Sequence, residues 1–170
     1  MSTPVSSIMS NASQQQHLVV RRLLDQGRVG DALAELELML SANAEDGKAH
    51  ALYGSLQMRE TVDYPAAEGA FRLALRYSPT LPALYYDFAE LLIRMDKPTE
   101  TIAVLNKALE VQGIEKERIH RLMGQVFERE QRWSDAVESY TRAIMHSLSE
   151  TFVQECRKDM LRVRMKMQLG

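Results

Sequence analysis

The residues of this chain that could take part in catalysis or bind a metal ion are few and scattered. The four histidines lie far apart in the sequence, at His17, His50, His120 and His146. Glu117 and His120 have the spacing of half a di-iron motif, but that chemistry needs a second such pair and two further carboxylates on facing helices. The sequence contains no second pair. We therefore expect no metal site and no cofactor.

The cysteine and the first glycine-rich stretch also favour a structural role. A single cysteine cannot form an intrachain disulfide, and Cys156 falls within an apolar stripe, where a buried and unreactive thiol is expected. Gly27 and Gly30 stand between two helical segments and do not follow a strand, as a phosphate-binding loop would require. The sequence therefore gives no indication of an enzyme.

Composition and charge describe an ordinary globular chain. Of its 170 residues, 45% are hydrophobic and 26% are charged, and the formal net charge is -2. This balance lacks the basic excess that is typical of nucleic-acid binding. The N-terminus lacks the basic and apolar regions of a secretory signal, and no apolar run approaches the roughly 18 residues of a membrane span. We expect a cytoplasmic protein.

Helical periodicity runs from about Ser13 to about Leu169 and is broken at short intervals by glycine, proline and small polar residues. Segments of this length are typical of helices, and short connections imply that consecutive helices are antiparallel neighbours. No segment shows the long alternation of a strand. The predicted fold is all-α with about nine helices, preceded by a disordered segment over residues 1–12.

One pattern of small and bulky residues recurs along these helices. In the stretch WSDAVESYTRAIMHS, Ala136 and Ala143 flank Tyr140. Three earlier stretches hold the corresponding residues, which are Ala32, Leu36 and Met39; Ala67, Phe71 and Ala74; and Thr101, Leu105 and Ala108. The intervals between first members are 35, 34 and 35 residues. A bulky residue followed by a small one also recurs in the preceding helices, as Tyr53-Gly54, Phe88-Ala89 and Met123-Gly124.

A helix–turn–helix unit of about 34 residues with this pattern resembles the tetratricopeptide repeat. The proline that ends the family's pattern is present once, at Pro79, and the second unit has one extra residue in its turn, RETVDYP. The resemblance implies a right-handed superhelical solenoid of antiparallel helix pairs. Its repeats would span about residues 13–46, 47–81, 82–116 and 117–148, with a capping helix at 149–169.

Close helix packing explains why small residues recur. Two helices reach the short end of the usual interaxial range only where the facing side chains are small. We expect Gly54, Ala89 and Gly124 to face the first small residue of the following helix. The bulky residue between the two small ones, such as Tyr140, fills the remaining space.

In tetratricopeptide arrays the first helices of successive repeats line a groove that holds a partner. By this resemblance twelve residues are candidates for partner binding: His17, Arg21, Ser55, Met58, Arg59, Tyr86, Asp87, Glu90, Arg94, Arg121, Gln125 and Glu128. Some members of the family bind the C-terminal carboxylates of heat-shock chaperones through a clamp of lysine and asparagine. The corresponding positions here hold His17, Arg21, Leu52, Ala83 and Asp87, so that clamp is absent. Arg21, Arg59 and Arg94 remain candidates for binding an acidic or extended peptide.

The ninth segment does not fit the repeat. Phe152, Cys156, Met160, Val163 and Met167 form an apolar stripe, and residues 150–170 carry five basic and three acidic side chains. Two interpretations stay open. The helix is either a solvating cap over the last repeat or an amphipathic helix that contacts a partner or a membrane.

The function predicted first is a non-enzymatic adaptor or scaffold that binds a protein or peptide partner in the groove. One alternative is a chaperone of the bacterial secretion type, although such chaperones usually have three repeats and four are predicted here. Another is a structural subunit that self-associates through its end faces or the ninth helix. Nucleic acid is not an expected partner.

Overall fold

The computed structural model describes residues 4–169, and it describes side chains from residue 13 to residue 168. Within this range nine α-helices and one π-helical turn follow one another, and no β-strand is present. The predicted all-α class is therefore confirmed. The helices fall into two compact units, Met1–Pro79 and Thr80–Gly170.

The first unit consists of two helix pairs. Helix α1 (Pro4–Asp25) packs against α2 (Val29–Ala42). Helix α3 (Gly47–Leu56), which is extended by a π-helical turn (Gln57–Thr61), packs against α4 (Tyr64–Tyr77). The first apolar cluster of this unit contains the buried residues Val20, Ala32, Leu36, Met39, Ala49 and Leu56.

The start of α1 differs from the prediction that residues 1–12 are disordered. The helix begins at Pro4, and residues 1–3 lie outside the described residues. Proline suits the first turn of a helix because its missing N–H would have no partner there. The serines and asparagine that follow each cost at most about 0.7 kcal/mol of helix propensity relative to alanine, too little to prevent a helix by themselves.

The second unit continues the pairing and adds one helix. Helix α5 (Pro82–Arg94) packs against α6 (Pro98–Ala108), and α7 (Lys116–Arg129) packs against α8 (Trp133–His146). Helix α9 (Glu150–Leu169) packs against α8. Its Val163 joins Ala136 and Tyr140 of α8 in a buried cluster, around which Phe127, Trp133, Val137 and Met160 pack.

The turn inside every helix pair contains one residue with a positive φ. These residues are Gly27, Val62, Asp96 and Gln131, with φ values of 70°, 57°, 55° and 58°. They are separated by 35, 34 and 35 residues, which is the period found in the sequence. In the first, third and fourth pairs a backbone N–H donates to the carbonyl five residues before it, as from Arg28 to Leu23 at 2.9 Å. This bond closes a Schellman motif, so these three pairs end their first helices in the same way.

The extra residue of the second repeat is absorbed at the end of its first helix. There the N–H of Asp63 donates to the carbonyl of Gln57, six residues before it, at 2.9 Å. A π-helical turn holds one residue more than an α-helical turn does, and it can therefore accept an insertion without displacing its neighbours. The phase of the repeats is kept.

The recurring small residues lie where the helices approach closely. A Cβ atom on Gly54 would lie 2.9 Å from the ring of Phe71, and one on Gly124 would lie 2.7 Å from the ring of Tyr140. The other small residues of the pattern are fully buried: Ala32, Ala67, Ala74, Ala89, Thr101, Ala108, Ala136 and Ala143. Close packing is therefore confirmed at both glycines, but the predicted partner is shown only at Gly54, where the carbonyl oxygen of Ala67 lies 3.2 Å from such a Cβ; the atoms nearest to Gly124 belong to Tyr140.

Candidate functional site

The candidate groove residues of the first unit differ in how accessible they are. Arg21 and Arg59 are exposed, whereas Ser55 is half-buried and donates to the carbonyl of Ala51 at 3.0 Å. Met58 is fully buried. The prediction that Met58 lines an open groove is therefore wrong, because the π-helical turn packs against α4 and takes this apolar side chain into the interior.

His17 is held by an acidic residue that also begins the next helix. Asp46 accepts hydrogen bonds from the N–H of Ala49 at 2.9 Å, from Ser13 at 3.1 Å and from the ring of His17 at 3.1 Å. Burial alone would raise the pKa of Asp46, but the Ala49 amide and His17 outweigh it and keep the pKa below its ordinary value. His17 thus ties α1 to the start of α3.

The candidate residues on α5 include one that forms structural contacts and others that carry charge near the surface. The hydroxyl of Tyr86 accepts from the N–H of Glu115 at 3.2 Å, and the guanidinium of Arg118 lies 4.5 Å from the centre of its ring. Glu90 pairs with Arg94 at 2.6 Å, one helical turn away. Asp87 is half-buried. Tyr86 therefore holds the loop before α7, and Arg94 lies exposed at the end of α5.

The structure places two candidates on α7 against α9, where the sequence predicted an open groove. Nε of Arg121 donates to Asp159 at 3.0 Å, and the same guanidinium donates to Glu155. Glu128 is buried and accepts from four donors, which are Tyr140 at 3.1 Å, Arg162 at 2.7 and 2.8 Å, and Lys166 at 2.8 Å. The side chains of α9 already satisfy Arg121 and Glu128, so the prediction of an open groove there needs correction.

The charges around Glu128 stabilise its ionised form. Hydrogen bonds from Arg162, Lys166 and Tyr140 lower the pKa of Glu128 to about 2, although burial acts in the opposite direction. Burial and the neighbouring Glu128 carboxylate raise the pKa of Tyr140. At neutral pH the site therefore holds a carboxylate, two cations and a neutral phenol.

An open depression of about 410 Å³ lies beside this network, between α5, α7 and α9. Its lining residues are Ile93, Gln125, Val126, Glu128, Arg129, Arg162 and Lys166. Three of them are cations and one is a carboxylate, while Ile93 and Val126 supply apolar surface. The depression therefore combines apolar contact with excess positive charge.

Sequence reasoning placed Gln125 and Glu128 in this region but missed Arg162 and Lys166. These two cations lie on α9, which the sequence showed only as a segment outside the repeat. Their spacing of four residues places them on one face of the helix. The other available signal was Glu128, an acidic residue at the position where the second and third repeats have Met58 and Ile93.

The described residues show no arrangement for metal chemistry. No group of three or more histidine, cysteine, aspartate or glutamate residues among them is placed to hold a metal ion. Cys156 is buried as predicted, and burial raises the pKa of its thiol, which disfavours the reactive thiolate. Among the helices described, none is both long enough and apolar enough to span a membrane.

Comparison with known proteins agrees with the repeat pattern. Residues 20–82 match the family model of the tetratricopeptide repeat. Over these residues the chain carries tetratricopeptide repeats. In each of the four helix pairs, the tetratricopeptide phase is marked by the positive-φ residue of the turn. No curated protein matches the sequence.

Several solved structures share the tetratricopeptide fold over most of the chain. PilF of Pseudomonas aeruginosa has a TM-score of 0.76 at 16% identity, covering 94% of this chain and 70% of that one. YrrB, a TPR protein with an unusual peptide-binding site, has a TM-score of 0.70 at 16% identity, covering 94% and 87%. MamA from Desulfovibrio magneticus has a TM-score of 0.67 at 14% identity, covering 93% and 96%. At these identities the likenesses show the fold.

Proposed function

We propose that this chain is a non-enzymatic adaptor or scaffold that holds a peptide or helix of a partner protein against the first helices of its tetratricopeptide repeats. The observation that carries the proposal is the depression of about 410 Å³ between α5, α7 and α9. It is formed by two first helices of the repeats together with α9, and its surface is partly apolar. Such surfaces bind extended peptides and amphipathic helices.

The charge of the depression indicates the chemistry of the partner segment. Arg162 and Lys166 are bonded to Glu128, and Arg162 also pairs with Asp159, so the cation of the depression that is most available to a partner is Arg129. Arg129 has only a long contact of 3.8 Å with the exposed Asp96, which is a weak pairing at a surface. A segment with an apolar side chain beside a carboxylate would complement Ile93, Val126 and these cations. YrrB, which shares the fold, is described as having a peptide-binding site.

A photo-crosslinking amino acid at position 125 tests the proposal. Gln125 is exposed and lines the depression, so a bound segment would lie within reach of the crosslinker. The matched control carries the same group at Lys107, an exposed position on α6 outside the depression. We expect a defined protein to crosslink from position 125 only. Its purified form should then bind the unmodified chain, and Arg129→Glu should weaken that binding about tenfold.

Equal crosslinking from both positions, or binding that Arg129→Glu leaves unchanged, would count against the depression as the site. The two alternative functions have their own readouts. A secretion-type chaperone would render an otherwise insoluble partner soluble on co-expression. A self-associating subunit would show a mass above that of the monomer by light scattering.

A further inference from the structure

The two faces of α9 differ in whether their charged side chains form ion pairs. On the face toward α7, Arg162 and Lys166 bind Glu128, and Arg162 also binds Asp159 at 3.0 Å. Glu155 and Asp159 both pair with Arg121. Every charged side chain on this face therefore has a partner of opposite charge.

The opposite face of α9 is basic and partly apolar. Arg157, Lys158 and Arg164 are exposed, and within the described part of the chain they form no ion pair or hydrogen bond. Leu161 and Met165, which lie four residues apart on the same face, are 61% and 57% exposed. We call these five residues the outer α9 face.

The five residues of the outer α9 face include three cations and no carboxylate, and the acidic residue on the same side of the helix is Glu150, about two turns before Arg157. Of the acidic residues in α9, Glu155 and Asp159 are bound to Arg121, and Glu150 accepts from Gln154 in the first turn at 2.6 Å. A concentration of unpaired positive charge around two exposed apolar side chains is what an acidic amphipathic surface would complement.

The position of α9 in the repeat pattern indicates what kind of surface would fit. Helix α9 packs against α8, the second helix of the fourth repeat, and so follows the array as the first helix of a further repeat would. In the four preceding pairs each first helix packs against a second helix. Among residues 4–169, α9 has no such following helix.

We propose that the outer α9 face docks an acidic amphipathic helix of another protein, which packs on α9 as the second helix of each repeat packs on its first helix. Leu161 and Met165 meet the apolar stripe of that helix, and Arg157, Lys158 and Arg164 meet its carboxylates. An anionic membrane is a poorer fit, because a helix that lies in a membrane interface needs a broad apolar face and this one presents two large apolar side chains. The outer α9 face is distinct from the depression between α5, α7 and α9, so each can be tested without the other.

A designed peptide provides the probe. It is a labelled helix of about five turns, with leucines spaced three and four residues apart and glutamates on both flanks. Its binding to the full chain is measured by fluorescence anisotropy at low salt. We expect Leu161→Asp and the double variant Arg157→Glu/Arg164→Glu each to weaken binding by about tenfold or more. Circular dichroism confirms that the variants stay folded, since the substituted side chains are exposed.

The control variant is Lys107→Glu/Lys116→Glu, which makes the same change in net charge at exposed lysines away from α9. It should bind the acidic peptide as the original chain does, and a peptide with lysines in place of the glutamates should not bind. The proposal is overturned if the acidic peptide fails to bind, or if the control and the α9 variants lose binding equally. It is also overturned if phosphatidylserine vesicles bind and the peptide does not, or if Leu161→Asp dissociates a dimer of this chain, which would make a second copy the occupant.

Discussion

The second and fourth helix pairs share one packing arrangement but fill it with different chemistry. In both, a glycine on the first helix leaves room for an aromatic ring on the second, Phe71 against Gly54 and Tyr140 against Gly124. Four residues after each glycine the pairs diverge, because the second has the fully buried Met58 and the fourth has the buried Glu128. The two differences are coupled, since the hydroxyl that distinguishes Tyr140 from Phe71 donates to Glu128 at 3.1 Å.

This difference shows that the repeat determines how the backbones of a pair pack. Whether a polar side chain can be buried in the pair depends on a neighbouring helix. A buried carboxylate is tolerated only when its charge is compensated by hydrogen bonds and cations. Arg162 and Lys166 of α9 supply that compensation in the fourth pair. Mutations can remove the interaction of Tyr140, Glu128 and α9 from the fourth pair, or place a buried carboxylate in the second pair, which lacks this compensation.

We expect the largest loss of stability when a glutamate is placed at position 58, in the apolar second pair. In Met58→Glu a carboxylate would lose its hydration at a fully buried position, where Phe71 has no hydroxyl to donate. We expect a loss of about 3–5 kcal/mol in the free energy of unfolding, measured with urea. Met58→Leu, which keeps the position apolar, should cost less than about 1.5 kcal/mol. Similar losses for both would mean that charge is not the deciding factor.

Replacing Glu128 of the fourth pair by methionine should reduce stability by less, and a second substitution should restore part of the loss. Glu128→Met removes four hydrogen bonds, but Arg162 and Lys166 are near the surface and regain water. We expect a loss of about 2 kcal/mol. Adding Tyr140→Phe removes the buried hydroxyl that is left without its acceptor, so the two changes should couple by about 0.5–1 kcal/mol in a double-mutant cycle. Strict additivity would show that the hydroxyl and the carboxylate act independently.

Both pairs pack an aromatic ring against a glycine, and substitution of that glycine tests this shared contact. Gly54→Ala and Gly124→Ala each place a Cβ within 2.9 Å of a buried ring. The resulting strain exceeds the gain in helix propensity, so each should lose about 1–2 kcal/mol in chemical denaturation. Gly69 in α4 has no atom within 4 Å of such a Cβ, and Gly69→Ala should therefore stabilise by about 0.5–1 kcal/mol. A stabilised Gly124→Ala would contradict the close approach of α7 and α8.

Mild acid should weaken the fourth pair through His120. Burial, with His146 and Arg142 nearby, lowers the pKa of His120 from 6.5, so the unfolded chain binds a proton more readily than the folded one. The stability that this residue contributes is present above about pH 6.5 and is lost as the pH falls through the folded pKa. The urea midpoint should therefore fall between pH 7.5 and pH 5.5, and less so in His120→Gln. Glu128, with a pKa of about 2 against 4.5, adds its own loss only below about pH 4.5.

The smallest effect concerns the turns that end the first helices. Val62 holds a φ of 57°, which is strained for a β-branched residue, whereas Gln131 in the fourth pair holds 58° with an unbranched side chain. We expect Val62→Asn to stabilise by about 0.5–1 kcal/mol and Gln131→Asn by less, as thermal unfolding would measure. Equal shifts would show that branching at Cβ contributes little to the strain.

The features that were predictable from the sequence depend on residue size and local spacing. Ala136, Tyr140 and Ala143 identify a helix with one crowded face, and their recurrence at 35, 34 and 35 residues reveals the repeat. The extra residue in RETVDYP was visible as an insertion, but not the π-helical turn that absorbs it. Residues 1–12 were predicted to be disordered because they are rich in small polar residues and lack helical periodicity, yet α1 begins at Pro4, since the helix propensity of these residues is only weakly unfavourable.

The repeat, its phase and the all-α class could be read from residue types and spacing, because helical periodicity and the need for small residues at close contacts act between near neighbours. Which polar residues are available to a partner depends instead on how distant helices pack together. Arg121 and Glu128 have their counter-charges on α9, more than thirty residues away in sequence, and Met58 is buried where its π-helical turn packs against α4. Pairing across that distance depends on how α9 is rotated and seated, which no local pattern records. The same rotation leaves Leu161, Met165 and their basic neighbours facing outward.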